Sequence, residues 1–98
     1  MMPIAHILIV GRHANMLDRI VAQVEQAGYW AIGTTTNEGA LDAVKSHPID
    51  AVIIGGGVDP DSRLWMREEF KKWRQGIILI DAHPHTVIND LQTAFPGS

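Results

Sequence analysis

The chain has 98 residues, 46% hydrophobic and 19% charged, a globular composition with enough length for one domain, residues 1–98, around a single core. A formal net charge of −3 and the absence of cysteine argue against nucleic-acid binding, disulfides, thiol catalysis and cysteine-ligated zinc. No apolar run approaches the ~20 residues of a membrane helix, and no charged signal segment precedes the first apolar stretch, so we expect a cytoplasmic protein without membrane contact.

The first half of the chain predicts two strands, each followed by a helix. The strands are rich in aliphatic, aromatic and β-branched residues and occupy residues 4–10 and 29–34. Apolar residues recur at three- and four-residue steps through 14–27, and Gly28 stands where a helix end favours positive φ. We expect Asn37 to cap a shorter helix over 38–45.

The second half repeats this alternation and contains a glycine-rich loop. A buried strand at 50–54 runs directly into three glycines at 55–57, and Asp59 is then expected to cap a third helix. An aliphatic strand at 77–81 and an amphipathic helix within 87–95 follow. The β-α-β-α-β-α-β-α order predicts a three-layer α/β/α fold with a parallel sheet and helices on both faces.

Several stretches resemble a known family. They are the first strand at 7–10, the helix-to-strand turn at 27–29, the start of the second helix at 37–41, and the third strand with its approach at 48–54. These stretches resemble the receiver domains of two-component response regulators. The resemblance implies a flavodoxin-like sheet of strand order 2-1-3-4, in which the fifth strand is missing because one helix alone follows the fourth strand.

The positions that carry receiver chemistry are replaced in this sequence. Receivers hold magnesium with an acidic pair after strand one, where this chain has Gly11 and Arg12. Their phosphoacceptor aspartate ends strand three, where Gly55 stands, and the Thr or Ser that ends strand four corresponds to Asp81, whose charge would repel a phosphoryl group. The resemblance therefore implies a degenerate pseudo-receiver in signal transduction, which is not an enzyme, is not phosphorylated and acts through protein–protein interaction.

Without a fifth strand, the aliphatic fourth strand becomes an unprotected sheet edge. Either the final helix folds over this edge, or a protein partner covers it, for which a symmetric homodimer is the simplest case. The predicted interface comprises the third helix's aromatic residues and the edge strand, namely Trp65, Phe70, Trp73, Ile77, Ile78, Leu79 and Ile80. Either tryptophan taken alone could instead fill the core.

A second hypothesis assigns a small-ligand site to the carboxyl ends of the strands. The residues His13, Asp81, His83 and His85 offer imidazoles and a carboxylate that suit a divalent metal ion such as zinc. The glycines at 55–57 could instead bind an anion through backbone N–H groups, although their spacing matches neither a Walker A nor a dinucleotide motif. No other cofactor is expected.

Overall fold

The computed structural model describes residues 2–82 and 86–96. Strands and helices alternate along this part of the chain. The elements are β1 (His6–Val10), α1 (Ala14–Gln26), β2 (Trp30–Thr34), α2 (Asn37–Ser46), β3 (Ala51–Ile54), α3 (Pro60–Trp73), β4 (Ile78–Asp81) and α4 (Val87–Ala94). None of the helices in the described ranges is long and apolar enough to cross a membrane.

The strands form one parallel sheet in the order β2-β1-β3-β4. Leu8 of β1 lies opposite Ile32 of β2 and Val52 of β3, and Val52 in turn lies opposite Leu79 of β4. This arrangement confirms the predicted α/β class and strand order and is consistent with a flavodoxin-like fold. Strands β2 and β4 are the two edges, and the described residues contribute no fifth strand.

The two faces of the sheet carry two separate cores. Side chains alternate along a strand, so Leu8 and Val10 point to one face and Ile7 and Ile9 to the other. Helices α2 and α3 cover the first face, and α1 and α4 cover the second. The central strands β1 and β3 are therefore enclosed on both sides, which explains why every residue of β3, and every residue of β1 after His6, is aliphatic.

Side-chain caps mark the beginnings of α2 and α3, and a glycine follows the end of α1. Asp59 caps α3 as predicted, and Gly28 adopts a φ of 101° after α1, which a residue with a Cβ rarely tolerates. The cap of α2 is Thr36 and not Asn37: the extended backbone of Thr36 lets its Oγ1 accept a hydrogen bond from the Gly39 N–H at 3.0 Å. Asn37 is the first helical residue, so its side chain is available for contacts elsewhere.

Helix α4 covers a face of the sheet beside β4 and does not extend the sheet. Its Val87 and Leu91 are buried in the same core as Ile78 and Ile80 of β4. The outer edge of β4 therefore has no strand beside it in the described part of the chain, although one of its faces is covered.

The structure corrects part of the predicted interface. Phe70 is 0% exposed and Ile77 is also buried, because both point into the core beneath α3 and are therefore not surface residues. Trp73 is 54% exposed at the end of the same helix, and Trp65 is partly buried. Because α3 is oriented with Phe70 toward the sheet, Trp73 on the same helix is left largely exposed to solvent.

Candidate functional site

The carboxyl ends of β1 and β3 approach each other closely at Gly55. The Gly55 N–H donates a hydrogen bond to the Val10 carbonyl at 2.7 Å. A Cβ placed on Gly55 would lie 3.1 Å from that oxygen and 3.4 Å from the Gly11 Cα, and both of these atoms belong to the backbone. Any side chain at this position would press against β1, so the site contains backbone where a larger residue would not fit without a shift.

Arg63, near the start of α3, occupies the end of the sheet next to this glycine. Its guanidinium donates from Nε to the Val58 carbonyl at 3.0 Å and from Nη2 to the Gly55 carbonyl at 2.5 Å. The remaining nitrogen, Nη1, donates to Asp81 Oδ1 at 2.5 Å. One side chain thus joins both ends of the glycine loop to the end of β4.

Arg12 makes a second set of contacts on the other side of the site. Its Nη1 donates to the Thr35 carbonyl at 2.6 Å and its Nη2 to Asn37 Oδ1 at 2.5 Å. Asn37 in turn donates from Nδ2 to Ser62 Oγ at 2.9 Å, and Arg12 also lies 3.8 Å from an Asp59 oxygen. Arg12 therefore connects the loops after β1 and β2 with the start of α3.

Asp59 is held as a carboxylate by the first turn of α3. The Ser62 hydroxyl donates to Oδ1 at 2.7 Å and the Ser62 N–H to Oδ2 at 3.0 Å. These hydrogen bonds, the side-chain one first, lower the pKa of the exposed Asp59 carboxyl, with a smaller contribution from the charge of Arg12. Asp59 is therefore ionised at neutral pH and does not serve as a proton donor there.

The charges of the site compensate one another. Two guanidinium groups, of Arg12 and Arg63, lie beside two carboxylates, of Asp59 and Asp81. Both guanidiniums also donate to backbone carbonyls, Arg63 using all three of its side-chain nitrogens and Arg12 using Nη1 and Nη2 in its contacts within the protein. Such a network holds loops together, and among residues 2–82 and 86–96 it contains neither the paired carboxylates of a magnesium site nor a guanidinium without a partner.

The predicted site residues are brought together in part. Gly11, Arg12, Gly55 and Asp81 all lie at this end of the sheet, and His13 is the N-cap residue of α1 with an exposed side chain that makes no capping hydrogen bond. His83 and His85 lie outside the described residues. Across the ranges that are described, no three His, Asp or Glu side chains form a cluster able to hold a metal ion.

Sequence reasoning missed Arg63. The signal was its position four residues after the helix cap Asp59, where a long side chain on the first turn of a helix can reach back over the preceding loop. Asn37 was noticed for a capping role and instead serves as the acceptor for Arg12.

A cleft of about 260 Å³ opens between the glycine loop and α1. Glycines 55–57 form one wall, and Met16, Leu17 and Ile20 of α1 form the opposite wall. Arg12 contributes to the rim, but its guanidinium is bound to Thr35 and Asn37. The walls are mainly aliphatic, which suits an apolar group better than a phosphate.

Comparisons with known proteins show similarity of fold. No family model and no curated protein matches the chain. A solved structure from Burkholderia pseudomallei, described as a "putative pilus assembly-related protein", superposes with a TM-score of 0.62 at 19% identity, covering 91% of this chain and 72% of that one. At this identity the match supports the architecture and carries no function across.

Proposed function

We propose that this chain is a receiver-like signalling domain of the cytoplasm that is not phosphorylated and acts through protein–protein contacts. The observation that carries the proposal is Gly55 at the end of β3, where the receiver resemblance locates the phosphoacceptor. This residue has no side chain, and a Cβ there would lie 3.1 Å from the Val10 carbonyl oxygen. The carbonyl of Gly55 is in turn bound by Arg63.

The neighbouring positions support the same proposal. Arg12 stands where a receiver has a metal-binding acid, and its guanidinium is bound to Thr35 and Asn37. Asp81 stands where a receiver has a hydroxyl for the phosphoryl group, and its carboxylate is bound to Arg63. A phosphoryl group would therefore meet one carboxylate and two guanidiniums that already have partners.

Exposed apolar side chains on α3 suit a contact surface. Trp73 is half-exposed, and the Lys45 Nζ lies 4.9 Å from the centroid of its ring, which holds the indole against the end of α2. Leu64 is also exposed on this helix, but it stands nine residues before Trp73, about two and a half turns, and so lies on the other side of α3. A fixed, exposed tryptophan is the residue type most often found at the energetic centre of an interface.

The absence of phosphotransfer is tested by intact-mass spectrometry after incubation with acetyl phosphate and Mg²⁺. We expect an unchanged mass, because no acceptor carboxylate ends β3. A stable gain of one phosphoryl group on the native protein contradicts the proposal.

The interaction role is tested by affinity capture from the source cells with the immobilised protein. Trp73→Ala should lose a captured partner, whereas Met16→Ala should retain it. Met16 is the matched control because it is 50% exposed, close to the 54% of Trp73, and lies on the helix of the opposite face. Equal capture by the two variants, or none by the wild type, counts against a contact through α3.

A second candidate function is the binding of a small ligand or ion at the carboxyl ends of the strands, where the cleft beside the glycine loop offers space, although its mainly aliphatic walls favour an apolar group. A metal ion there would use His13, Asp81, His83 and His85, and an anion would use the backbone of glycines 55–57. Calorimetric titration with Zn²⁺ distinguishes the metal case. Heat that the wild type shows and that disappears in the His83→Ala, His85→Ala double variant supports it. No heat with the wild type, or the same heat with the double variant, rejects it.

A further inference from the structure

The hydrogen bonds between β3 and β4 show which residues of β4 direct their backbone N–H and C=O groups to the outer edge of the sheet. The Ile78 N–H donates to the Asp50 carbonyl at 3.1 Å, and the Ala82 N–H donates to the Ile54 carbonyl at 2.8 Å, so these even-numbered residues face β3. Alternate residues of a strand direct their backbone groups to opposite sides. Leu79, between them, therefore directs its N–H and C=O away from the sheet, as does Asp81.

The side chains of this edge are apolar on both faces of the sheet. Leu79 packs with the core under α2 and α3, and Ile78 and Ile80 pack with the core under α1 and α4. All three remain partly exposed, in contrast to the fully buried residues of β3. No lysine or proline, which commonly protect edge strands, stands within β4.

A strand that pairs with this edge must itself be apolar on both faces. Most surface strands are apolar on one face alone, because their other face contacts water. β4 has the required character, with Ile78, Leu79 and Ile80 in succession. The chain thus contains a segment that is complementary to its own open edge.

We propose that two copies of the chain pair antiparallel through β4, about a two-fold axis that passes at Leu79. This specifies a contact for the interaction function proposed above and rests on it. Because outward-facing residues must meet outward-facing residues, Leu79 of one copy exchanges both backbone hydrogen bonds with the second copy's Leu79. The Asp81 N–H then reaches the carbonyl of the second copy's Ile77.

The charge of Asp81 favours an axis at Leu79 over the alternative register, which has its axis at Ile80. An axis at Ile80 also pairs outward residues, but it places the two Asp81 residues diagonally across the ladder, two residues apart or roughly 7 Å. An axis at Leu79 separates them by four residues, roughly 14 Å along the strand direction. Each Asp81 also keeps its own Arg63, so no carboxylate is left opposite another.

The test is amide hydrogen exchange of the native protein, followed by NMR at increasing protein concentration, together with the mass from light scattering. We expect the mass to rise from 10.8 kDa toward twice that value. Over the same range, amide exchange at Leu79 and Asp81 should slow in proportion to the dimer fraction. The amides of Ile78 and Ile80 are already bonded to β3, so their exchange rates relative to those of the other core amides should not change.

Two variants separate this edge from other apolar surfaces. Leu79→Lys places two ammonium groups at the axis and should hold the mass at that of the monomer. Ile32→Lys is the matched control, since Ile32 is a partly buried aliphatic residue of the same core on the opposite edge strand, and it should still dimerise.

Monomeric behaviour of the wild type at millimolar concentration overturns the proposal, as does a dimer in which Leu79 exchanges as fast as in the monomer. Either result leaves a non-phosphorylated interaction domain intact. Phosphoryl transfer to the protein would reject the proposed function without bearing on this edge, so the two failures are distinguishable.

Discussion

Arg63 and Asp81 form a hydrogen-bonded ion pair of 2.5 Å that joins the first turn of α3 to the last residue of β4. The same guanidinium holds the carbonyls of Gly55 and Val58. The end of the sheet is thus held in one arrangement by contacts within the chain. These contacts fix the position of the glycine loop relative to α3 and β4.

Replacement of Arg63 should destabilise the protein more than replacement of Asp81. Arg63→Ala removes the donor from two carbonyls and a carboxylate, for which we expect a loss of about 1–3 kcal/mol in the free energy of unfolding. Asp81→Ala removes an exposed partner of the ion pair, for which about 0–1 kcal/mol is typical. Urea denaturation measures both, and equal losses would show that the carbonyl contacts contribute nothing.

Gly55 should tolerate alanine poorly, and its neighbour Gly56 should tolerate it well. The added methyl group at Gly55 meets the Val10 carbonyl oxygen of β1 and the Cα of Gly11 just after it, and we expect a cost of about 1–3 kcal/mol from overpacking. A Cβ at Gly56 has no atom within 4 Å, so Gly56→Ala should be neutral or stabilising by about 0.4–1 kcal/mol. The order of the two denaturation midpoints checks the prediction, and the reverse order contradicts it.

The fold could be predicted from local patterns because each element carries its own signal. The aliphatic run of β1 and the helical spacing of α1 were enough to place both elements, and their ends shifted by no more than two residues. Strand order followed from the alternation of strands and helices together with the family resemblance. These features depend on residues close together in sequence.

The contacts of the site depended on residues far apart in sequence and were largely missed. Arg63 reaches Asp81 across 18 positions, and Arg12 reaches Asn37 across 25. The reach of a long side chain is set by the packing of the helix that carries it, which a sequence pattern does not give. The same reason explains Phe70, whose burial follows from the docked phase of α3.

Tyr29→Phe should leave the protein at least as stable as the wild type. Tyr29 is 4% exposed, and its hydroxyl has no hydrogen-bond partner in the described part of the chain. Removing an unsatisfied buried hydroxyl should gain about 1 kcal/mol or be neutral. If urea denaturation showed a decrease of more than about 1 kcal/mol in the free energy of unfolding, the Tyr29 hydroxyl would have a hydrogen-bond partner.

The same residue predicts a dependence on alkaline pH. Burial raises the pKa of the Tyr29 hydroxyl above its usual value of 10.0, because the phenolate is poorly solvated in the core. The folded protein therefore binds a proton more tightly than the unfolded chain, and stability falls as the pH rises above 10.0. Denaturation midpoints should fall more steeply with pH for the wild type than for Tyr29→Phe, and parallel profiles would contradict this.

Asp59 predicts a dependence on acidic pH of the opposite sign. Its pKa is lowered from 3.8 by the Ser62 hydrogen bonds, so its contribution to stability is present above that pH and is lost as the pH falls through the lower folded value. Asp59→Asn keeps a capping oxygen and should remove this acid dependence, whereas Asp59→Ala should also lower stability at neutral pH. Thermal unfolding of the three proteins between neutral pH and pH 3 compares them, and identical profiles would exclude the cap.

The claim that the end of the sheet near Gly55 accepts no phosphoryl group is tested most directly by a two-dimensional NMR titration of the native protein with Mg²⁺ and beryllofluoride. Beryllofluoride mimics a phosphoryl group on an aspartate. We expect no saturable change in the amide signals of Gly11, Gly55 and Asp81, because β3 ends without an acceptor and both guanidiniums already have partners. Saturable shifts at these amides that require both additives would contradict it.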